Sequence, residues 1–244
     1  MMNENILDKQ EQSNSSRMIK KGIAAGFPIM VGYLPIALTY GVLAKQSGMT
    51  LTELTLMSVM VFAGASQFMG ANMIALGAGA AEIIIATFVL NFRHFVMSLS
   101  FMNRLRGMEL KWKAPLSLGL TDETFAVSAL HTEEANKDKG ALFYTALILT
   151  AYLSWVIGSF LGGVLGDIIP EKLSQSMGIA LYAMFIGLLV PSVKKEFKLG
   201  LIALVAMLIN ALCIQLGMST GWAIVAGTII GGMSGIYLLK EEVK

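Results

Sequence analysis

The chain has 244 residues, is 55% hydrophobic and has a mean hydropathy of +0.69. That leaves too little polar surface for a soluble domain of this length. A net charge of +2, with basic residues spread between apolar runs, also excludes a nucleic-acid-binding face.

The first stretch, "MMNENILDKQEQSNSS", is polar and lacks the apolar core of a secretory signal. Residues 1–20 read as a polar tail, with Arg17, Lys20 and Lys21 anchoring the first apolar run. From 21 to 244 the chain reads as a single transmembrane domain, an all-α, polytopic helical bundle. Apolar runs of about 20 residues each span a hydrocarbon core of roughly 30 Å. Clear runs fall at 22–44, 141–166, 175–193, 199–217 and 221–240, and three more polar ones at 54–79, 82–101 and 114–130. This predicts about seven or eight membrane segments.

Positive charge helps to orient such segments. Basic groups precede the first run (Lys20, Lys21), separate 175–193 from 199–217 (Lys194, Lys195, Lys198) and close the chain (Lys240, Lys244). If all face the cytoplasm, both termini do and the number of crossings is even. Eight full spans satisfy that parity but put Arg104, Arg106, Lys111 and Lys113 outside. Broken or re-entrant helices between 54 and 130 resolve the conflict, and these are tolerated at membrane depth where protein or a cavity surrounds them.

In "VFAGASQFMGANM", 61–73, small residues allow close approach or unwinding around two amides, Gln67 and Asn72. These amides either meet a polar solute or serve a tight helix crossing. In "IIIATFVLNFRHFVMSLSF", 83–101, eleven Ile, Leu, Val or Phe residues supply roughly −3 to −7 kcal/mol of insertion energy, against about 2.5–3.5 for the arginine. At 100° per residue, Thr87, Asn91, His94 and Ser98 share one stripe, while Arg93 points well away from it. The stripe lines a hydrophilic path, with His94 as a proton carrier, or else it bonds neighbouring helices. In "LTDETFA", 120–126, Asp122 and Glu123 are adjacent, face different directions and form no carboxylate dyad. Either can neutralise Arg93 or capture an ammonium group or proton. Pro115, just upstream, suits a first helical turn.

Later runs carry Gly158, Gly162 and Gly166, then Gly227, Gly231 and Gly235, a spacing that lets another helix backbone approach. Asn210 and Gln215 read as helix–helix contacts. Cys213 is the single cysteine, so no intrachain disulfide forms. The sequence has no GxxxxGK[ST] phosphate loop, hydrolase signature or row of spaced arginines, and no metal-ligand or cofactor motif. The residues point to a small-solute membrane transporter rather than an enzyme, with a non-transporting scaffold or sensor as the alternative.

The stretches "GFPIMVGYLPIALTYG", "FAGASQF", "NFRH" and "LTDETFA", in this order, resemble the AzlC family, the large subunit of bacterial branched-chain amino-acid exporters. "AYLSWVIGSFLGGVLG" is more loosely similar. The resemblance implies a multi-pass protein of the bacterial plasma membrane that works with a small AzlD-type membrane subunit. It implies export of Leu, Ile or Val, in some members methionine, coupled to protons. Substrate or coupling roles would then fall on Gln67, Asn91, Arg93, His94, Asp122 and Glu123. Another small solute remains the alternative cargo.

Overall fold

The computed structural model describes residues 2–105, 107–170 and 179–238. Arg106, Lys240, Lys244 and the start of the 175–193 run lie outside them. The described residues form ten α-helices: α1 (Met2–Gln46), α2 (Leu51–Val61), α3 (Gly64–Ala75), α4 (Ala80–Arg104), α5 (Leu110–Leu118), α6 (Asp122–Leu130), α7 (Gly140–Leu165), α8 (Ile179–Lys195), α9 (Phe197–Gln215) and α10 (Thr220–Leu238). A 3-10 turn (Thr132–Asn136) joins α6 to α7. The polar stretch before Arg17 continues α1 as helix. Five helices, α1, α4, α7, α9 and α10, are long and apolar enough to cross a membrane.

The most extensive helix pair is α1 with α7, and the two run parallel. Gly22 lies against Phe143 and Ala146, Gly26 against Leu147 and Thr150, and Gly41 against Ser159 and Gly163. From the other side Gly158 meets Ala37, Gly162 meets Leu38, and Gly166 meets Lys45. These glycines bring backbone against backbone, which larger residues would prevent. The bundle has a near end, where Gly22 lies, and a far end, where Gln46 lies.

At the far end the Thr50 hydroxyl accepts from Glu53 N at 3.2 Å, and the Glu53 carboxylate accepts from Thr50 N at 2.8 Å. This capping box starts α2. α2 descends along α7, where Tyr152 Oη donates to the Val59 carbonyl. It stops at Phe62, whose left-handed φ of 41° is costly for an aromatic residue. α3 then folds back: Gln67 Nε2 donates to Ser58 Oγ at 2.8 Å, and Gly70 lies against Met57.

α4 runs from the far end to the near end, where Phe101 packs on Tyr144. α5 climbs back along it, with Ser98 Oγ donating to the Ser117 carbonyl at 3.0 Å. α6 returns to the near end, where Arg104 stacks over Phe125 and Tyr144 Oη donates to the His131 carbonyl. Pro115 lies inside α5 rather than in its first turn, because the helix already starts at Leu110.

The segments 54–79 and 114–130 are therefore re-entrant hairpins, set among the five membrane-length helices of the described residues. α1–α3 and α4–α6 share one succession, a long helix then a hairpin, in opposite directions, as in inverted repeats. Lys20, Lys21, Arg104, Lys111 and Lys113 all fall at the near end. α9 and α10 pair antiparallel, with Gly227 against Ala206 and Asn210, Gly231 against Ala206, and Gly235 against Ile202. Through α10 the pair rests on α4, with Val225 clustered with Ala86 of α4 and Met73 of α3. The outward faces, with Phe88, Phe92 and Phe95 on α4 and Leu204, Met207 and Leu208 on α9, are apolar and exposed, as a lipid-facing surface requires.

Candidate functional site

The tips of the two hairpins meet about halfway along α1, α4 and α7. Between them is a cavity lined by Tyr33 from α1, Phe62 to Ala65 from the first tip, and Arg93 and His94 from α4. Thr121 to Glu123 from the second tip and Trp155 from α7 complete the lining. Its volume is about 30 Å³, room for about two waters and far below the roughly 300 Å³ at which small-molecule pockets begin.

Local sequence explains the tips. Ala63 gives α3 no side-chain cap, so the first N–H groups of that helix are left for other partners. Thr121 starts α6: its hydroxyl accepts from Thr124 N at 3.2 Å, and Thr121 N donates to Thr124 Oγ1 at 2.8 Å. Asp122 and Glu123 occupy the first turn, where the helix dipole favours negative charge.

The two carboxylates diverge. Asp122 Oδ2 pairs with Arg93 Nη1 at 2.8 Å. Glu123 Oε2 accepts from Tyr33 Oη at 2.5 Å, and Tyr33 Oη also lies 2.6 Å from Thr121 Oγ1. Arg93 Nε is buried and has no hydrogen-bond partner among the described residues. His94 Nδ1 lies 3.0 Å from the Leu120 carbonyl, while its Nε2 is also buried and unpartnered among the described residues. Arg93 and His94 thus wall the same cavity although the helix directs them apart, because the long arginine side chain reaches around to α6.

The rest of the stripe bonds to neighbouring elements. Ser66 Oγ donates to Asn91 Oδ1, tying the first hairpin to α4, whereas Thr87 donates to its own helix at Ile83. Gln67 is fully buried but outside the cavity lining: its amide bonds Ser58, and its carbonyl accepts from Trp155 Nε1 at 2.9 Å. It fixes the indole that forms the wall. Asn72 sits on the exposed side of α3, away from the cavity. Tyr33 and Trp155 are not among the residues that the sequence singled out. Their signal was a tyrosine and a tryptophan deep within apolar runs rather than at their ends, where membrane aromatics gather.

A family model described as AzlC protein matches residues 28–169, which hold both hairpins and every cavity residue. The chain belongs to the AzlC family. An uncharacterized membrane protein of Archaeoglobus fulgidus is 34% identical over 74% of this chain and 78% of its own length. The branched-chain amino acid transport protein AzlC of Bacillus subtilis is 29% identical over 70% of this chain and 66% of its own. The inner membrane protein YgaZ of Escherichia coli is 26% identical over 91% of each. No solved structure matches the chain. Helices α8–α10 lie beyond the AzlC match.

Proposed function

We propose that this chain is a secondary transporter that exports branched-chain amino acids across the bacterial plasma membrane with a small AzlD-type subunit, driven by protons. The observation that carries the reading is a mid-depth cavity offering groups of both charges. A zwitterionic amino acid needs N–H donors for its carboxylate and oxygen acceptors for its ammonium. Arg93 Nε and the uncapped start of α3 supply donors. Asp122 and Glu123 supply acceptors, and Phe62 and Trp155 give the apolar side chain a wall. The Bacillus subtilis relative, named for branched-chain amino acid transport, supports this cargo. The basic near end supports a cytoplasmic placement of both termini.

The cavity as it stands is too small for an amino acid, so the hairpins part to admit cargo, each towards its own end of the bundle. The test is radiolabelled leucine, isoleucine or valine preloaded into vesicles containing the chain and its small subunit. Efflux that Arg93→Ala abolishes in a folded protein is expected. No flux of any of the three under any proton gradient overturns the cargo. Flux of a different solute would then favour another exporter, and no flux at all a scaffold or sensor.

A further inference from the structure

We infer that His94 carries the coupling proton, on Nε2. The inference rests on the transport reading and selects one group from the three that can titrate against a proton gradient. A carbonyl can only accept a hydrogen bond, so the 3.0 Å contact with Leu120 requires the His94 proton on Nδ1. Nε2 of the neutral ring then keeps its lone pair. That atom is buried, no hydrogen bond from the described residues occupies it, and the ring forms part of the cavity wall.

The other candidates are engaged. Asp122 Oδ2 is held by Arg93, and Glu123 Oε2 accepts from Tyr33. Protonating either weakens a contact that joins the second hairpin to α4 or α1. Protonating Nε2 breaks none. The groups facing His94 across the cavity are Arg93 beside it on α4, Asp122 and Glu123 on α6, and Tyr33 on α1; the first tip and α7 contribute no charge. With both carboxylates ionised, one guanidinium leaves the cavity a negative charge in excess. A proton on His94 cancels it. The neutral cavity is the form that rearranges in a low-dielectric interior, where an uncompensated charge is most costly, and a zwitterion adds no net charge. The proton arrives from water at one end, sits on Nε2 and leaves from it to water at the other.

The Leu120 contact makes His94→Asn the informative variant, because its amide N–H replaces Nδ1–H and nothing replaces Nε2. In vesicles holding the chain and its small subunit, leucine exchange at equal pH is compared with flux under an imposed pH gradient. The native protein is expected to show both, and whatever flux His94→Asn retains is expected not to respond to the gradient. A His94→Asn response equal to the native one overturns the inference. Native protein lacking even exchange overturns the transport reading instead. Nitrogen-15 NMR of histidine-labelled protein decides independently of flux, including for a variant with none. The chain has two histidines, so His131→Asn assigns the His94 signals. Neutral His94 protonated on Nδ1 is expected, and a proton on Nε2 overturns the proposal.

Discussion

Arg93 on α4 and Asp122 at the start of α6 form a 2.8 Å ion pair halfway through the bundle, with about a third of each side chain exposed. Removing one partner strands the other charge at a depth where water is scarce. Arg93→Ala and Asp122→Ala are each expected to destabilise by about 1–3 kcal/mol, below the cost for a fully buried pair because solvent screens part of the interaction. The double variant is expected to lose less than the sum, which thermal unfolding in detergent measures. Both single variants are expected to lose leucine flux; intact flux in either would remove that residue from the site.

The α1–α7 contact sets a steric prediction. A Cβ on Gly162 would run into the Leu38 carbonyl and lie 3.0 Å from the Gly41 Cα, backbone atoms that cannot turn aside. Gly162→Ala is expected to cost roughly 1–3 kcal/mol through overpacking. Gly32, in the same α1 helix, has nothing within 4 Å of its added Cβ, so Gly32→Ala is expected to be neutral or to gain up to about 1 kcal/mol of helix propensity. Equal melting temperatures for the two variants would refute the packing assignment.

The re-entrant hairpins make a topological prediction. With Cys213 replaced, a single cysteine at Lys111 is expected to react with an impermeant maleimide from the same side as one at Lys20. A cysteine at Gly48 or Gly217 is expected to react from the opposite side. Labelling of position 111 from the Gly48 side would mean full crossings instead of hairpins.

Near the start of α7, Glu134 Oε1 sits 2.7 Å from Lys137 Nζ and 3.5 Å from Lys21 Nζ. The Lys137 hydrogen bond, helped by the charges of Lys137 and Lys21, holds its carboxyl below the ordinary 4.5, against burial, which pushes it up. The folded value is the lower one, so this stabilisation is complete above about pH 4.5 and disappears as the pH falls through the folded value. Glu134→Gln is expected to melt a few degrees lower at pH 7, with the gap closing below about pH 4.5. A gap that widens with acid would contradict the assignment.

Charge logic carried a good part of this structure. Four basic residues between 103 and 113 could not sit opposite Lys20 and Lys21, and that conflict alone pointed to hairpins. A lone arginine at membrane depth needed a carboxylate, and "LTDETFA" held the candidates; Asp122 is the one it meets. What stayed hidden depended on rotation about an axis. The small residues of 61–73 did not say which amide would turn inward, and α3 buries Gln67 while exposing Asn72. The stripe on α4 was legible, but not that Thr87 would spend its hydroxyl on its own turn. Tyr33 and Trp155 showed only in their depth within apolar runs, because their polar atoms matter once Glu123 and Gln67 arrive from distant parts of the chain.

The parallel pairing of α1 and α7 also governs assembly. A helix can lie parallel to another only after the chain has returned to its starting side, so the glycine face of α1 enters the membrane uncovered. It stays so through the synthesis of both hairpins and α4. Contacts so distant in sequence form late, and until α7 arrives the nascent bundle has no closed core to prevent wrong helix pairs. The α9–α10 pair is local and assembles as soon as it is made. The interval in which wrong helix pairs can form therefore runs until α7 is made, close to the end of the stretch that the AzlC match covers.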